Sequence, residues 1–443
     1  MHHYPEIIDK LTQQGVHSVL VQFCDLHGVA KGKLVPLANL QEWVEQGAGF
    51  AGPSIWGTGL PRMGARSEYY GRLQVETLRP LPFMSGVAHG VADGYAGGVP
   101  LNTCSRQVLK SALERIAARG WKLWVGIEPE YFLLRRDATG RWGVADAQDT
   151  LDKPSYDLKS IHRNAAYLDD MRSTLTALGF ALQQIDHEDA CGQYEINYRF
   201  DEALAAADRF MLFKLAAHAV AERHGMVFSC MPKPLAHAPG SGLHFHLSLT
   251  DANGTPLFAD PTGSLGLSAA GHHFVAGLLQ HADALAAVCA PTVNSYKRLA
   301  SSESASGTTW SPVWKSYGDN NRTCLVRTVA GRLEWRLPDP SCNVYAALAA
   351  TLVAGLHGMD AALPPPSPCE DDLYQRHARQ EAMPARLPRD LREAIEGLEQ
   401  DAVIREGLGT AFSGQFLQLK RAEWDQFALH VSEWELKHYA GAF

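Results

Sequence analysis

The segment Ile185-Asp186-His187-Glu188-Asp189-Ala190-Cys191-Gly192-Gln193-Tyr194-Glu195-Ile196 carries the residues on which the predicted fold and site depend. Two glutamates flank a glycine at which the chain is expected to turn, and apolar, strand-type residues lie outside them. Side chains alternate between the two faces of a strand, so Glu195 and Asn197 share one face. The segment therefore predicts strand structure on both sides of a turn, with carboxylates close to that turn.

Three further segments place polar residues two positions apart in otherwise apolar, strand-like sequence. They are Glu128 with Glu130, His244 with His246 and Ser248, and Glu334 with Arg336. If these strands share a sheet with the strand of Glu195, one face carries five carboxylates, including Glu188, and two imidazoles. Burial of that negative charge without compensation is prohibitive. Because glutamate oxygen dominates the set and thiolates are absent from it, the pattern predicts a site for Mg²⁺ or Mn²⁺.

Each of these residues also has an ordinary structural explanation. A single glutamate in a strand is most often a solvated surface residue, and His244 by itself is more often a hydrogen-bonded core histidine. The repetition of the same spacing in several apolar strands favours the metal site over these alternatives.

A basic group accompanies the acidic one, and it consists of Arg298, Arg322, Arg327 and Arg336. Guanidinium groups bind carboxylate and phosphate through paired hydrogen bonds, so the set suits an anionic substrate and a nucleotide. The sequence has no glycine-rich phosphate loop of the Walker type, so metal ions and arginines are expected to hold the phosphates. Surface positions beside helices are the alternative for each arginine taken alone.

The order of predicted elements favours an α+β fold with antiparallel, hairpin-connected strands. Strands are predicted over 19–23, 31–36, 122–134 and 240–250, a strand pair over 324–336, and helices over 5–13, 105–119, 160–178, 202–224, 265–289 and 344–359. A glycine- and proline-rich stretch from 47 to 104 completes a small N-terminal β-rich domain. Ser105 is predicted to cap the first helix of the larger domain.

Composition limits the class of protein. The chain has 443 residues, of which 46% are hydrophobic and 20% charged, as in ordinary soluble globular proteins. The net charge of −8 argues against a general nucleic-acid surface. The eight cysteines have neither disulfide-framework nor zinc-ribbon spacing, and we find no signal-peptide pattern or membrane-length apolar segment. We expect a soluble, cytoplasmic protein without nucleic-acid or membrane partners.

Long motifs along nearly the whole chain resemble, in order, those of the glutamine synthetase family. They are Glu128-Pro129-Glu130-Tyr131, His187-Glu188 with Gly192-Gln193-Tyr194-Glu195, Met231-Pro232-Lys233-Pro234, Gly240-Ser241-Gly242-Leu243-His244-Phe245-His246, Asn294–Arg298 and Arg332-Leu333-Glu334-Trp335-Arg336-Leu337-Pro338-Asp339-Pro340. Leu151-Asp152-Lys153-Pro154 and Ser306-Gly307-Thr308-Thr309-Trp310-Ser311-Pro312 resemble the branch that contains γ-glutamylmethylamide synthetase and type III glutamine synthetase-like enzymes.

The resemblance implies a β-grasp domain over residues 1–104 and a catalytic domain over 105–443, in a dodecamer of two hexameric rings with active sites between subunits. It also implies ATP as co-substrate and γ-glutamyl phosphate as intermediate. Carried over by motif, Glu130, Glu188 and Glu195 would hold one metal ion, and Glu128, His244 and Glu334 a second. His246 and Ser248 would contact ATP, Arg298 and Gly240 glutamate, and Arg322, Arg327 and Arg336 phosphate or carboxylate.

Two departures from the family pattern concern the amine. The family's ammonium-binding aspartate is replaced by Ala51 in the segment Phe50-Ala51-Gly52-Pro53-Ser54, and its flap glutamate is replaced by Ser304. A small hydrated cation needs anionic partners, whereas Ala51 leaves room for an alkyl group. The resemblance therefore predicts a primary alkylamine, methylamine or somewhat larger, as acceptor. Ser54, Ser304 and Tyr156 are expected to line its pocket. Pro239 is a third departure, near the glutamate.

Two alternatives stay open at this point. A true glutamine synthetase could replace the missing acids with Glu303 or with a residue of a neighbouring subunit. A non-catalytic homologue could serve as a structural or regulatory assembly, although such a protein has no chemical need to keep all the candidate metal ligands, and all are present.

Overall fold

The computed structural model describes residues 4–64, 66–300, 310–329 and 331–443, and two β-sheets organise this part of the chain. The smaller sheet and its helices come first. Their elements are α1 (Tyr4–Gln13), β1 (Ser18–Cys24), β2 (Ala30–Pro36), α2 (Leu40–Glu45), β3 (Ala48–Ala51), β4 (Glu68–Leu73), β5 (Arg79–Pro80), β6 (Val87–Ala96) and β7 (Val99–Pro100).

The N-terminal sheet has the strand order β2-β1-β6-β4-β3. β1 and β2 pair antiparallel, with Ser18 opposite Pro36 and Cys24 opposite Ala30, which confirms the predicted hairpin. β1 also pairs in parallel with β6. Val19 and Val21 of β1 are fully buried in the apolar core of this unit.

The second set of elements builds the larger sheet and its helices. They are α3 (Ser105–Ala117), β8 (Lys122–Arg136), β9 (Trp142–Val144), α4 (Leu158–Arg163), α5 (Ala165–Ala177), β10 (Leu182–His187), β11 (Gln193–Tyr198), β12 (Asp201–Glu202), α6 (Ala203–Arg223), β13 (Val227–Ser229), β14 (Leu243–Thr250), α7 (Ala269–Gln280), α8 (Ala282–Cys289), α9 (Ser295–Arg298), β15 (Tyr317–Asp319), β16 (Val326–Val329), β17 (Arg332–Trp335), α10 (Val344–Asp360), α11 (Leu373–Ala378), α12 (Leu391–Gln400), α13 (Ala402–Leu408), α14 (Thr410–Ala428) and α15 (Glu433–Tyr439).

The large sheet has the order β10-β11-β8-β14-β17-β16-β15, and its pairs are antiparallel except β15 with β16. The long strand β8 lies near the middle and pairs with both β11 and β14. α10 is apolar and buried almost throughout and packs against α7, as expected for a core helix. The α+β prediction is confirmed. The domain boundary at residue 104 stays a prediction.

Three predicted elements differ in detail from the structure. The predicted helix over 160–178 is two helices that meet at Asn164. The predicted helix over 265–289 starts at Ala269, because the Ser268 side chain accepts a hydrogen bond from the backbone N–H of Gly271 and caps it. It also divides at His281. The cap of α3 is Cys104, whose backbone is extended, and Ser105 is already helical.

Within the described residues, no helix combines the length and apolar character needed to cross a membrane. All eight cysteines are free thiols.

The turn at Gly28, between β1 and β2, packs against Asn343 at the start of α10. Gly28 has φ +86, and a Cβ there would lie 2.8 Å from the Cα of Asn343. We expect Gly28→Ala to lower the free energy of unfolding by about 2–4 kcal/mol, since the left-handed backbone and the steric overlap both add cost. Gly15→Ala is the control, because Gly15 has φ +80 but no described atom within 4 Å of its Cβ position. Equal losses in urea unfolding of the two variants would contradict this.

Candidate active site

Most of the polar residues predicted to share one sheet face lie on the four neighbouring strands β11, β8, β14 and β17, whereas Glu188 lies in the turn between β10 and β11 and Arg336 directly follows β17. The cross-strand pairs are Glu195 with Glu130, His244 with Glu128, and His246 with Glu334. Residues directly opposite each other project from the same face of a sheet. Ser248 follows two residues after His246 on β14 and therefore lies on this face as well.

Glu128 and Glu334 lie close to both histidines of β14. His246 Nε2 is 2.9 Å from Glu128 Oε1. His244 Nδ1 is 3.7 Å from Glu128 Oε2 and 3.6 Å from Glu334 Oε1. Glu128, His246 and Glu334 each offer a ligand atom, and these atoms lie within 4.8 Å of one another. The structure thus brings both histidines close to the two carboxylates, and the assignment of His244 as the metal ligand stays a prediction.

Glu334 is held as a carboxylate by two arginines. Arg327 Nη1 donates to Glu334 Oε2 at 2.6 Å, and Arg336 Nη1 donates to the other oxygen. Burial alone would raise the pKa of Glu334, but the charges of Arg336, the two histidines and Arg327 lower the pKa to about 2. The imidazoles of His244 and His246 similarly hold the pKa of Glu128 below its usual range against the effect of burial.

In the second predicted ligand set, which comprises Glu130, Glu188 and Glu195, the pKa values of Glu188 and Glu195 are shifted upward instead. Burial raises the pKa of Glu188 to about 8, and the charge of Glu130 adds to the shift. Burial, followed by the charges of Glu128 and Glu188, raises the pKa of Glu195 well above its usual range. Carboxylates that raise one another's pKa in a buried site are a suitable donor set for a divalent cation.

Asp149 positions the turn that carries Glu188. Its Oδ2 is 2.7 Å from His187 Nε2 and accepts a hydrogen bond of 2.6 Å from the backbone N–H of Gly192. His187 Nδ1 is 2.9 Å from the carbonyl oxygen of Glu188. Sequence reasoning missed Asp149, because a single aspartate in a polar loop gives no signal of its tertiary partners.

Arg298 and Arg336 both lie in the wall of a narrow gap that also contains Glu130 and Glu188. Arg298 is 4% exposed and donates to the carbonyl oxygens of Leu337 and Arg336, both at 3.0 Å. The gap has a volume of about 40 Å³, and its wall includes Glu130, Glu188, Gly240, His244, Arg298 and Arg336. Two guanidinium groups facing buried carboxylates can orient an anionic substrate.

A larger cavity of about 760 Å³ has Glu128 in its wall. His246 and Ser248 line it, as do Trp124 and Phe200, whose rings meet edge to face at 5.9 Å. Arg332 also lines it and donates from Nε to His246 Nδ1 at 3.1 Å. No role was predicted for Arg332 from the sequence. The size and the aromatic wall suit a nucleotide base.

The predicted amine-pocket residues are dispersed in one chain. Ala51 and Ser54 are exposed in the N-terminal unit and belong to none of the cavity walls described above. Tyr156 is 69% exposed, has φ +63, and donates its backbone N–H to the carbonyl oxygen of His187 at 2.9 Å. Arg322 is exposed and near enough to influence Tyr156 electrostatically. Ser304 lies outside the described residues.

The family comparison agrees with the motifs. Residues 102–439 match the model of the glutamine synthetase catalytic domain. The chain is 44% identical to a glutamate–methylamine ligase of Methyloversatilis universalis, with 98% of each chain aligned. It is 36% identical to a glutamine synthetase of Rhizobium meliloti, with 96% of each chain aligned.

Solved structures give the same result. A GmaS/ADP complex aligns with a TM-score of 0.91 and 40% identity, covering 98% of this chain and 99% of its own. An apo GmaS structure aligns with a TM-score of 0.90 and 38% identity, with the same coverage. The sequence resemblance and the fold class are thereby confirmed: the chain belongs to the glutamine synthetase family.

Proposed function

We propose that this protein is an ATP-dependent ligase that joins the γ-carboxylate of L-glutamate to methylamine or another primary alkylamine. The reaction passes through γ-glutamyl phosphate and yields a γ-glutamylamide, ADP and phosphate. The observation that carries the proposal is the sheet face on which buried carboxylates and histidines lie beside Arg298 and Arg336. The two arginines, together with cations held by the carboxylates of that face, would neutralise the charge of a phosphoryl group moving between two anions.

Two divalent ions, Mg²⁺ or Mn²⁺, would bind at this face. Glu130, Glu188 and Glu195 would hold one, a fit supported by the raised pKa values of Glu188 and Glu195. Glu128, His244 and Glu334 would hold the other. His246 is a second candidate ligand for this ion, because its ring also lies close to Glu128 and Glu334. When bound, such ions neutralise phosphate charge and polarise phosphoryl oxygens.

The remaining roles follow from position. We propose that Arg298 and Gly240 bind glutamate, because both line the narrow gap beside Glu130. His246 and Ser248 would contact ATP in the 760 Å³ cavity. Arg336 and Arg327, both fixed on Glu334, would orient phosphate or carboxylate oxygens, and Arg322 would approach them from its exposed position.

The choice of amine rests on two features. The relative named a glutamate–methylamine ligase is 44% identical to this chain, against 36% for the glutamine synthetase of Rhizobium meliloti. Ala51 and Ser304 stand where a site for ammonium needs acids. Loss of both anionic partners weakens the binding of a small hydrated cation and leaves space for an alkyl group.

We also propose a cytoplasmic dodecamer of two hexameric rings with active sites between subunits. Free thiols fit a reducing compartment. Ala51 and Ser54 lie apart from the cavities of their own chain, as expected if they serve the site of a neighbour. A mass in solution of one chain, 48.4 kDa, would contradict the assembly.

An isotope experiment tests the reaction class. With glutamate labelled with ¹⁸O in its γ-carboxylate, ATP and methylamine, the released phosphate should contain one labelled oxygen, since that oxygen bridges carbon and phosphorus in γ-glutamyl phosphate. The organic product should be γ-glutamylmethylamide by mass spectrometry. Unlabelled phosphate would contradict the intermediate, and the absence of any glutamylamide would favour a non-catalytic homologue.

A further inference from the structure

Two cysteines that are far apart in sequence, Cys324 and Cys369, come together beside β15. Both belong to an apolar cluster that also contains Val313, Trp314 and Leu373. Cys324 is fully buried, whereas Cys369 is partly exposed. The pair therefore combines one thiol that solvent reaches with one that solvent does not reach.

Backbone hydrogen bonds fix the two cysteines in this arrangement. The N–H of Cys369 donates to the carbonyl oxygen of Tyr317 at 2.8 Å, and the N–H of Cys324 donates to that of Asn321 at 3.2 Å. Asn321 Nδ2 also donates to the carbonyl oxygen of Cys369 at 3.1 Å. A Cβ at Gly318 would lie 3.4 Å from Cys324 Sγ and would overlap the carbonyl oxygen of Cys369. Asn321 and Gly318 thus allow the two cysteines to approach each other.

The contact between the thiols favours ionisation of the exposed one. A hydrogen bond from the Cys324 thiol lowers the pKa of Cys369 to about 7, burial opposes this shift, and the charge of Arg376 adds to it. The same hydrogen bond, together with burial, raises the pKa of Cys324 above its ordinary value. The thiolate is the nucleophilic form of cysteine. Cys369 is therefore the reactive member of the pair, and Cys324 is its protonated neighbour.

The other partly exposed cysteines are Cys24, Cys191 and Cys230. Burial raises the pKa of Cys191 and Cys230 to about 11 and that of Cys24 to about 12. Neutral thiols react slowly with oxidants and alkylating agents. All eight cysteines lie in the described residues, and Cys369 is the one among them whose pKa is lowered.

We propose that Cys369 and Cys324 form a reversible disulfide when the protein is exposed to a hydroperoxide such as hydrogen peroxide. Redox-sensing cysteines are accessible and often lie beside a second thiol that resolves the oxidised form. In a reducing compartment such disulfides are transient. The bond would join the chain before α11 to the chain between β15 and β16, which also carries Arg322. The inference goes beyond the proposed ligase reaction and does not depend on it.

The chemistry needs a peroxide as its one co-reactant. The Cys369 sulfur attacks a peroxide oxygen, so that an S–O bond forms, the O–O bond breaks and hydroxide leaves to become water. The Cys324 sulfur then attacks the Cys369 sulfur, so that the S–S bond forms and the S–O bond breaks. The departing hydroxide takes the Cys324 proton and leaves as a second water. Two electrons pass from the sulfurs to the peroxide.

Metal binding and apolar packing explain the pair less well. A structural zinc site takes four ligands, and in the described part of the chain no group of three or more potential metal ligands includes either cysteine. Apolar packing accounts for Cys324, which is fully buried. It does not account for a partly exposed thiol whose pKa is lowered to about 7.

The first test follows disulfide formation in the wild-type protein. Reduced, full-length protein is treated with hydrogen peroxide, its free thiols are alkylated, and its tryptic peptides are analysed by mass spectrometry. We expect peptide 323–327, which contains Cys324, to be joined to peptide 337–376 through Cys369, and dithiothreitol to separate them. Fragmentation distinguishes Cys369 from Cys342, which lies in the same peptide. A disulfide between another pair, or sulfinic acid at Cys369 without a disulfide, would overturn the proposal.

The second test measures the reactivity of Cys369 before oxidation. In the folded wild-type protein near pH 7, we expect iodoacetamide to alkylate Cys369 at least about tenfold faster than Cys191. Both thiols are partly exposed, but a far larger fraction of Cys369 is thiolate. Equal rates at the two positions would contradict the assignment of Cys369 as the reactive thiol.

Serine variants separate the roles of the two sulfurs. Cys324→Ser should accumulate sulfenic acid at Cys369, which dimedone traps, and should form no disulfide. Cys369→Ser should leave Cys324 reduced, and oxidation of Cys324 in this variant to the wild-type extent would refute the order of attack. Cys191→Ser is the matched control and should form the wild-type disulfide. Because Cys324 is fully buried, circular dichroism checks that its variant folds, and the wild-type peptide analysis decides the proposal if it does not.

Discussion

Glu195→Ala is expected to abolish phosphate release with every amine, with a loss of about 10³-fold or more. Glu195 is buried at 7% exposure on β11, directly opposite Glu130 on β8. It is one of three proposed ligands of one divalent ion, and such an ion supplies several kcal/mol of charge stabilisation during phosphoryl transfer. Because activation of glutamate precedes attack by the amine, the loss should not depend on the amine.

Stability measurements separate loss of the metal from loss of the fold. Burial and neighbouring carboxylates already disfavour the charge of Glu195, so alanine there should not lower the melting temperature of metal-free protein by much. Wild-type protein should gain melting temperature with Mn²⁺, since a ligand that binds only the folded state stabilises it. The variant should gain less.

Glu202→Ala provides the matched control for this substitution. Glu202 is exposed and pairs with Lys122 at 2.8 Å, so its removal should leave activity and the Mn²⁺ response intact. Retained phosphate release in Glu195→Ala would refute the metal assignment.

Ala51→Asp is expected to shift the enzyme from methylamine towards ammonium. The carboxylate would supply an anionic partner for a small cation and would occupy space proposed for the methyl group. A pocket discriminates a methylene group by about 10–200-fold, so the ratio of kcat/KM for methylamine to that for ammonium should fall by about 10². Phosphate release with each amine at saturating glutamate and ATP measures this ratio.

The Ala51→Asp substitution requires a second substitution at Glu68, its neighbour on the adjacent strand. Ala51 lies directly opposite Glu68 in the β3–β4 pair, and like charges at opposite positions destabilise a sheet. The test therefore uses Ala51→Asp combined with Glu68→Gln, and Glu68→Gln alone as control. The control should keep the wild-type preference. An unchanged preference in the double variant would show that Ala51 does not determine the amine.

The acidic face could be predicted from the sequence, because residues two positions apart on one strand project from the same face. His244 and His246 are two residues apart on one strand, and this alone places them on one side. The strand order β11-β8-β14-β17 could not be read from spacing, because it depends on pairing between segments distant in sequence. Long motifs such as Glu334–Arg336 with their flanking residues supplied the fold instead.

The parts that sequence reasoning missed depend on tertiary contacts. Asp149 accepts a hydrogen bond from Gly192, which is distant in sequence, so no local pattern predicts the contact. Arg332 contacts His246 only because β14 and β17 pair in the folded sheet. The assignment of His244 rather than His246 to an ion was carried by motif alone, whereas the side-chain distances also bring in His246.

The preference for an alkylamine over ammonium is tested by comparing the two amines on the wild-type enzyme. Phosphate release is measured with glutamate and ATP saturating and with methylamine or ammonium varied. We expect kcat/KM for methylamine to exceed that for ammonium by about tenfold or more, because Ala51 and Ser304 favour an alkyl group over a hydrated cation. A higher kcat/KM with ammonium than with methylamine would rule out an alkylamine ligase and identify the protein as a glutamine synthetase.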